Sequence, residues 1–298
     1  MSDVWQPFNG VYTATAPIFP WAASLSLPSM GSVFEWIGAL ISAAFGAGVG
    51  AWMAGRIARN TKLRDELLAE LRSIDVAVTL CISTIDVAGS MKKQLISKIV
   101  EEHRSNREAF DKYLNGNREK PFTLNINHRR SPPIAPPIAE LRNLVMKEMS
   151  ISANGVKSML ALADAVENLN TIIYTYNKLV DRLQNNDMPP GLQPPQFYLG
   201  LPGVGIISRE YPSTLEGLEL YNNDILFFTK KLYECLHSRA VKARKLYEKK
   251  SGEWRQIRYI DFSANLELFP SDSNYANWMK GWEDDTDAIT VKRRWWHR

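Results

Sequence analysis

Glu234 and His237 stand three residues apart in a stretch of helical periodicity, a Glu-x-x-His that paired helices in bundles use to hold a di-iron centre. Such a centre needs a second copy. His103 has Val100 at the equivalent spacing, and His128 has no acid suitably placed. Glu234 and His237 therefore read as two solvated side chains flanking Cys235, and no metal or other cofactor is expected. "GLPGVGIIS" carries Gly200, Gly203 and Gly205, but it lacks the Lys-Ser/Thr that holds phosphate and magnesium in a phosphate loop, and its prolines point to a turn. There is no Walker loop, no His-Glu-x-x-His, no Gly-x-Ser-x-Gly and no cysteine pair at zinc spacing. The sequence points away from an enzyme and nominates no catalytic residue.

A third group lies at the C-terminus. In "EDDTDAITVKRRWWHR" four acids between Glu283 and Asp287 precede Lys292, Arg293, Arg294, Trp295, Trp296, His297 and Arg298. Basic and aromatic side chains together suit anionic lipid headgroups, single-stranded nucleic acid or an acidic protein surface. Arg293, Arg294, Trp295, Trp296 and Arg298 are the candidate contacts with lipid or a protein partner. No basic groove or recognised module supports nucleic acid.

The elements that would position these groups begin with an uncharged run. Residues 1–55 carry only Asp3 and Glu35, whereas all 36 Lys and Arg come later. From Trp36 to Gly55 there is no charge, and a helix of that length covers about 30 Å, the hydrocarbon thickness of a bilayer. Trp36 and Trp52 stand near the two ends, and Arg56, Arg59, Lys62 and Arg64 follow at once, as interfacial anchors and a cytoplasmic cluster do. The positive-inside bias places the N-terminus outside and the remainder in the cytosol. A cleaved signal peptide would need a basic region near Met1 and an apolar core closer to it. A buried core helix is the competing reading, because many of these residues are Gly, Ala or Ser. Their spacing argues against it: Gly38, Ser42, Gly46, Gly50 and Ala54 recur every four residues, beside a bulky stripe of Ile37, Ile41, Phe45, Val49 and Met53. A small-xxx-small face lets helices approach closely in lipid, so self-association is expected. Pro17, Pro20 and Pro28 disfavour a second span in the apolar segment before it.

Past the basic cluster, Leu67, Ile74, Cys81, Ala88 and Leu95 alternate with Leu71, Val78, Ile85 and Ile99 in a heptad pattern broken only by Lys92. No proline separates Pro28 from Pro121, so the spacing predicts one helix reaching about Leu114. Similar seams recur through Met159, Val166, Ile173 and Val180 with Leu162, Leu169, Tyr176 and Leu183, and through Leu218, Ile225 and Leu232 with Tyr221, Phe228 and Cys235. A helix over 138–147 precedes the second seam, with a break at Asn154-Gly155. Ser213 and Glu216 form a capping box for the third. "FTLNIN" alternates as a short strand would. Cys81 and Cys235 both fall on apolar stripes and read as reduced, buried thiols.

The expected fold is mainly α: one N-terminal transmembrane helix continuing into an elongated cytoplasmic helical bundle or coiled-coil array. Residues 1–34 form an extracytoplasmic or interfacial tail and 35–55 the span. Residues 56–257 form the cytoplasmic body, with Pro-rich loops near 116–137 and 186–212 suited to binding or packing. Residues 258–298 form an irregular C-terminal region. This organisation suits a single-pass scaffold or signalling adaptor of a bacterial inner membrane, contacting lipid, self-associating as a homo-oligomer and docking a cytoplasmic protein. The alternative is an effector whose Gly-rich spans assemble to permeabilise the membrane after a cytoplasmic trigger.

Overall fold

The computed structural model describes residues 5–8, 11–14, 30–116, 122–124, 126–127, 129–251 and 259–280. The protein is mainly helical. It divides into two compact units, Met1–Leu63 and Arg64–Arg298.

In the first unit, strands β1 (Trp5–Phe8) and β2 (Val11–Ala14) pair antiparallel, with Trp5 opposite Ala14 and Phe8 opposite Val11. The intervening Asn9-Gly10 is a dipeptide whose sequence favours two-residue hairpin connections. Helix α1 starts at Met30 and continues into the second unit as far as Met91.

A single π turn, Lys92–Ile96, joins α1 to α2 (Ser97–Asn115), the Ser97 N–H reaching back to the Lys92 carbonyl. The turn falls where the heptad pattern breaks, because Lys92 occupies a seam position that an ammonium group cannot fill without acceptors. It finds two: Nζ donates to Asn223 Oδ1 at 2.7 Å and to the Leu268 carbonyl at 2.8 Å. Burial holds the Lys92 pKa below the ordinary lysine range, partly offset by Glu219.

α3 (Ile138–Asn143) ends in another π turn, Leu144–Glu148, and α4 (Ala153–Gln184) follows. The expected break at Asn154-Gly155 lies earlier, at Met149–Ser152. Ser152 caps α4, its Oγ accepting from the Gly155 N–H at 3.3 Å, so Asn154 and Gly155 belong to the first helical turn. α5 (Pro194–Leu199) is a short helix inside the second Pro-rich connection, closed by a reciprocal Gln193/Gln196 capping box. α6 (Glu210–Ser251) begins three residues before the expected Ser213 cap. Pro212 is accommodated in its first turn because a backbone donor there has no intrahelical acceptor to lose.

Within the second unit, α6 runs antiparallel to α1 and to α4. Glu70 of α1 binds Arg239 and Lys92 binds Asn223, so numbers rise along one helix as they fall along the other. Arg182 of α4 meets Glu210 in the same sense. The core is continuous through Ile74, Cys81, Leu162, Leu169, Ile225 and Leu232, all at most 1% exposed. Leu67, Leu71 and Ala243 close a smaller cluster at the Arg64 end. The seam positions thus lie largely in the core, with Ile85, Leu95, Val166, Tyr221 and Cys235 half-buried.

The first Pro-rich connection packs as a stave along α4. Asn177 Oδ1 accepts from the Ser131 N–H at 2.8 Å while its Nδ2 donates to the Ser131 carbonyl at 2.8 Å; Asn170 treats Ile134 identically, at 2.9 Å both ways. The spacings match. Seven helical residues rise about 10.5 Å and three extended proline-rich residues about 9.3 Å, so two asparagines on one face meet the two backbones that still carry an N–H. The described residues of "FTLNIN" form no strand. Phe122 instead lies edge-on to Phe110 at 5.2 Å, and the Asn127 N–H donates to Glu102 at 2.7 Å.

Residues 259–280 return along α6. Leu268 is buried against Gly89, the Ile260 N–H donates to Tyr233 Oη at 2.7 Å, and Tyr275 stacks on Phe227 at 3.7 Å. Asp272 receives Lys231 Nζ at 2.9 Å. The ion pairs with Asp272 and Glu234 outweigh burial and raise the Lys231 pKa.

Candidate functional site

The residues with the strongest functional pattern lie on α1 before Arg64. Ala44 and every residue from Gly46 to Ala54 are exposed, and Gly55 is half-buried. Val49 is 49%, Trp52 62%, Met53 54% and Ile57 65% exposed. A Cβ built on Gly46, Gly48, Gly50 or Gly55 meets nothing within 4 Å. An apolar helix exposed all round is what a membrane-buried segment presents, since a core helix spends its apolar side chains on its own fold. Gly46, Gly50 and Ala54 therefore form an open face within the chain. Gly38, Ser42 and Trp36 lie on the helical backbone of α1, but their side chains are outside the described residues.

The basic cluster is exposed as well. The Arg56 guanidinium lies 5.5 Å from the Trp52 ring centroid, one helical turn away, and Arg64 pairs with Asp65 at 3.4 Å. Such an exposed Arg–Trp pair keeps its charge hydrated while the indole stays apolar.

Among the described residues, one helix, Gly46–Asn115, is long and apolar enough to cross a membrane by length and composition. Its best window has a mean hydropathy of 1.5 and is half-buried within the chain. That window falls in the later apolar part of this helix and not in Gly46–Ala54, which Arg56, Arg59 and Lys62 follow too closely. Ile74–Met91, with Asp75 and Asp86 as its only charges, belongs to the core, whereas Gly46–Ala54 is exposed.

Other groups were candidates for chemistry. Glu234 accepts from Lys231 Nζ at 3.2 Å, and His237 sits between the rings of Tyr233 and Tyr259 at 5.9 and 5.6 Å, so the two do not converge on a shared ligand. Among the described residues no group of three His, Cys, Asp or Glu is arranged to hold a metal ion. Cys81 is fully buried, which pushes its thiol up to about 12, and Cys235 is half-buried. Arg293, Arg294, Trp295, Trp296 and Arg298 lie outside the described residues.

Two features depend on residues far apart in the chain, of which only Tyr176 and Ile85 fall on a seam. A buried cluster of Tyr176, Tyr198 and Tyr211 joins the Pro-rich connections to α2: Tyr176 Oη donates to the Arg129 carbonyl at 2.9 Å, Asn106 to Tyr198 Oη at 3.2 Å, and Arg107 to the Leu199 carbonyl at 2.8 Å. Burial pushes the Tyr176 and Tyr198 hydroxyls up to about 12. His103 contacts the Tyr198 carbonyl at 3.1 Å, and burial lowers its pKa. The second feature is a cleft of about 370 Å³ between α1 and the C-terminal segment, lined by Ile85, Asp86, Lys93, Asp261, Phe262 and Asn265. Asp86, Lys93, Asp261 and Asn265 are all exposed at its rim, so it is an open seam between two docked elements. No family model, curated protein or solved structure matches this chain.

Proposed function

We propose that the protein is a single-pass membrane scaffold or adaptor, its N-terminus outside, its span formed by residues 35–55 and its helical bundle in the cytoplasm. The exposure of Ala44 and Gly46–Ala54 carries this reading. In water that surface costs roughly 25 cal/mol per Å² of apolar area, whereas in lipid the cost disappears. The small-residue face through Gly46, Gly50 and Ala54 supports self-association, because glycine leaves the space that a second helix backbone needs at close approach. The Trp52–Arg56 pair and the basic residues after it support a cytoplasmic boundary. A bundle tied by buried side chains and offering many exposed polar groups suits docking of a cytoplasmic protein. A bacterial inner membrane is the location we propose, with which a short N-out span is compatible.

The test is thiol accessibility on intact cells, with single cysteines at Ser24 or Ser105 and Cys81 and Cys235 replaced by Ala. An impermeant reagent labels position 24 and spares 105 until the cells are opened. Equal protection of both, with the protein in the soluble fraction, refutes the span. Gly46→Ile with Gly50→Ile is expected to reduce the detergent-solubilised oligomer to monomer, and an unchanged oligomer refutes association through this face.

A further inference from the structure

From Met188 to Ser208 the chain carries no charged residue and no histidine, the longest such run beyond Gly55. Its second half is a tight loop, residues 200–208, at the end of the second unit remote from Arg64. The helix from Arg64 to Arg107, which binds the base of this loop, covers about 65 Å.

The loop is held from below and apolar above. Phe197, Tyr198 and Leu199 are buried, and Arg107 Nη1 donates to the Leu199 carbonyl at 2.8 Å. Gly200 turns the chain out of α5 at φ 67. The Val204 N–H donates to the Gly191 carbonyl and the Gly203 N–H to the Ile206 carbonyl, both at 2.8 Å, while Pro202 and Ile207 pair across the loop. Above this frame Val204 is 86%, Ile207 66% and Ile206 37% exposed. An ordered backbone fixes these aliphatic side chains in water, where none contributes to the core.

We propose that this loop is a contact between copies of the chain, a second interface that rests on the self-association proposed above. Three considerations select a second copy as occupant. Three aliphatic side chains offer far less than the roughly 800 Å² per partner of a stable free-standing interface, so the contact needs partners already held together. Spans in one bilayer supply that, raising the effective concentration of one loop near another. Any assembly with a rotation axis along the membrane normal also places equivalent loops at one height, whatever the tilt of each body. A patch without charge tolerates meeting itself, whereas a charged patch repels its own image.

The experiment is oxidative cross-linking of the full-length protein in native membranes, in the background lacking Cys81 and Cys235. Val204→Cys is compared with Ser105→Cys, an exposed α2 position, and with Ala47→Cys in the span. The expected result is dimer at 204 at least tenfold faster than at 105, falling to the rate at 105 when Ile207→Glu is added, while the cross-link at 47 persists. Cross-linking at 47 with none above background at 204 overturns the loop contact and leaves the span association standing. Failure at both positions overturns both. Capture of 204 by a protein of different mass in place of the dimer also overturns the proposal.

Discussion

Between Gly46 and Ala54, α1 exposes every side chain; between Ile74 and Ala88 it buries Ile74, Ala77, Val78, Cys81, Thr84 and Ala88 while turning Val76, Thr79, Ser83 and Asp86 outward. The later stretch is the richer in Ile, Val and Leu, so hydropathy does not single out the earlier one. What separates them is the composition of the face away from the seam. The later stretch has Asp, Ser and Thr there and so a wet side, whereas the earlier has only small and apolar residues and therefore no side suited to water. On the proposed membrane reading one helix serves two surroundings, with the change set by the residues between seam positions.

The contrast is tested most severely by placing one charge in each stretch. Ile74→Asp leaves an unpaired carboxylate in the core and is expected to cost more than about 4 kcal/mol, abolishing the cooperative thermal transition seen by circular dichroism. Val49→Asp should leave that transition unmoved and lower only the membrane-bound fraction. A smaller effect marks where the protein core begins. Glu70 lies in the first turns of the buried region and takes two bonds from Arg239, at 2.7 and 2.6 Å. Burial alone would raise its pKa, but Arg239 and the Ser150 N–H outweigh it and hold the carboxyl below its usual range. Arg239→Ala should cost about 3 kcal/mol in denaturant unfolding, with a larger loss than any alanine substitution between Gly46 and Ala54.

Asn177→Ala tests the proline stave. It removes both bonds to Ser131 and leaves that backbone partly unsatisfied, for about 1–3 kcal/mol, and hydrogen exchange should rise locally at Ser131. The smallest effect is a pH dependence. Burial holds the His103 pKa in the folded protein below the ordinary histidine value of about 6.5, so the unfolded chain binds its proton first as pH falls. Stability is therefore lost as pH drops from 6.5 towards the folded pKa, burial being the leading cause and Arg107 adding to it against the Tyr198 carbonyl and Glu216. His103→Gln should flatten the melting temperature across that window.

Much of this was legible in the sequence because it is periodic. Leu67, Ile74 and Cys81, or Leu162, Leu169 and Tyr176, reveal a buried stripe by spacing alone. The uncharged run from Trp36 and the basic residues after Gly55 are equally local. What the sequence did not disclose depends on partners far apart in the chain. Asn170 and Asn177 look like ordinary polar residues on α4 until the extended segment 131–134 lies across them. Lys92 looked like a flaw in the heptad, and only Asn223 and the Leu268 carbonyl explain it. The start of α6 at Glu210 shows the same limit, since the Ser213–Glu216 pattern also fits the interior of a first turn. The loop at 200–208 announced a turn through its glycines and prolines, but not that its aliphatic side chains would face out.

The proposed span requires that α1 leave lipid for protein between Ala54 and Leu67. Spin labels at Val49, Met53 and Val76, three exposed positions on one helix, measure it directly in reconstituted bilayers through collision with oxygen, which concentrates in lipid, and with a water-soluble nickel chelate. A span predicts oxygen dominance at 49 and 53 and nickel dominance at 76. Nickel dominance at all three would show that water surrounds the whole helix and would contradict the membrane span.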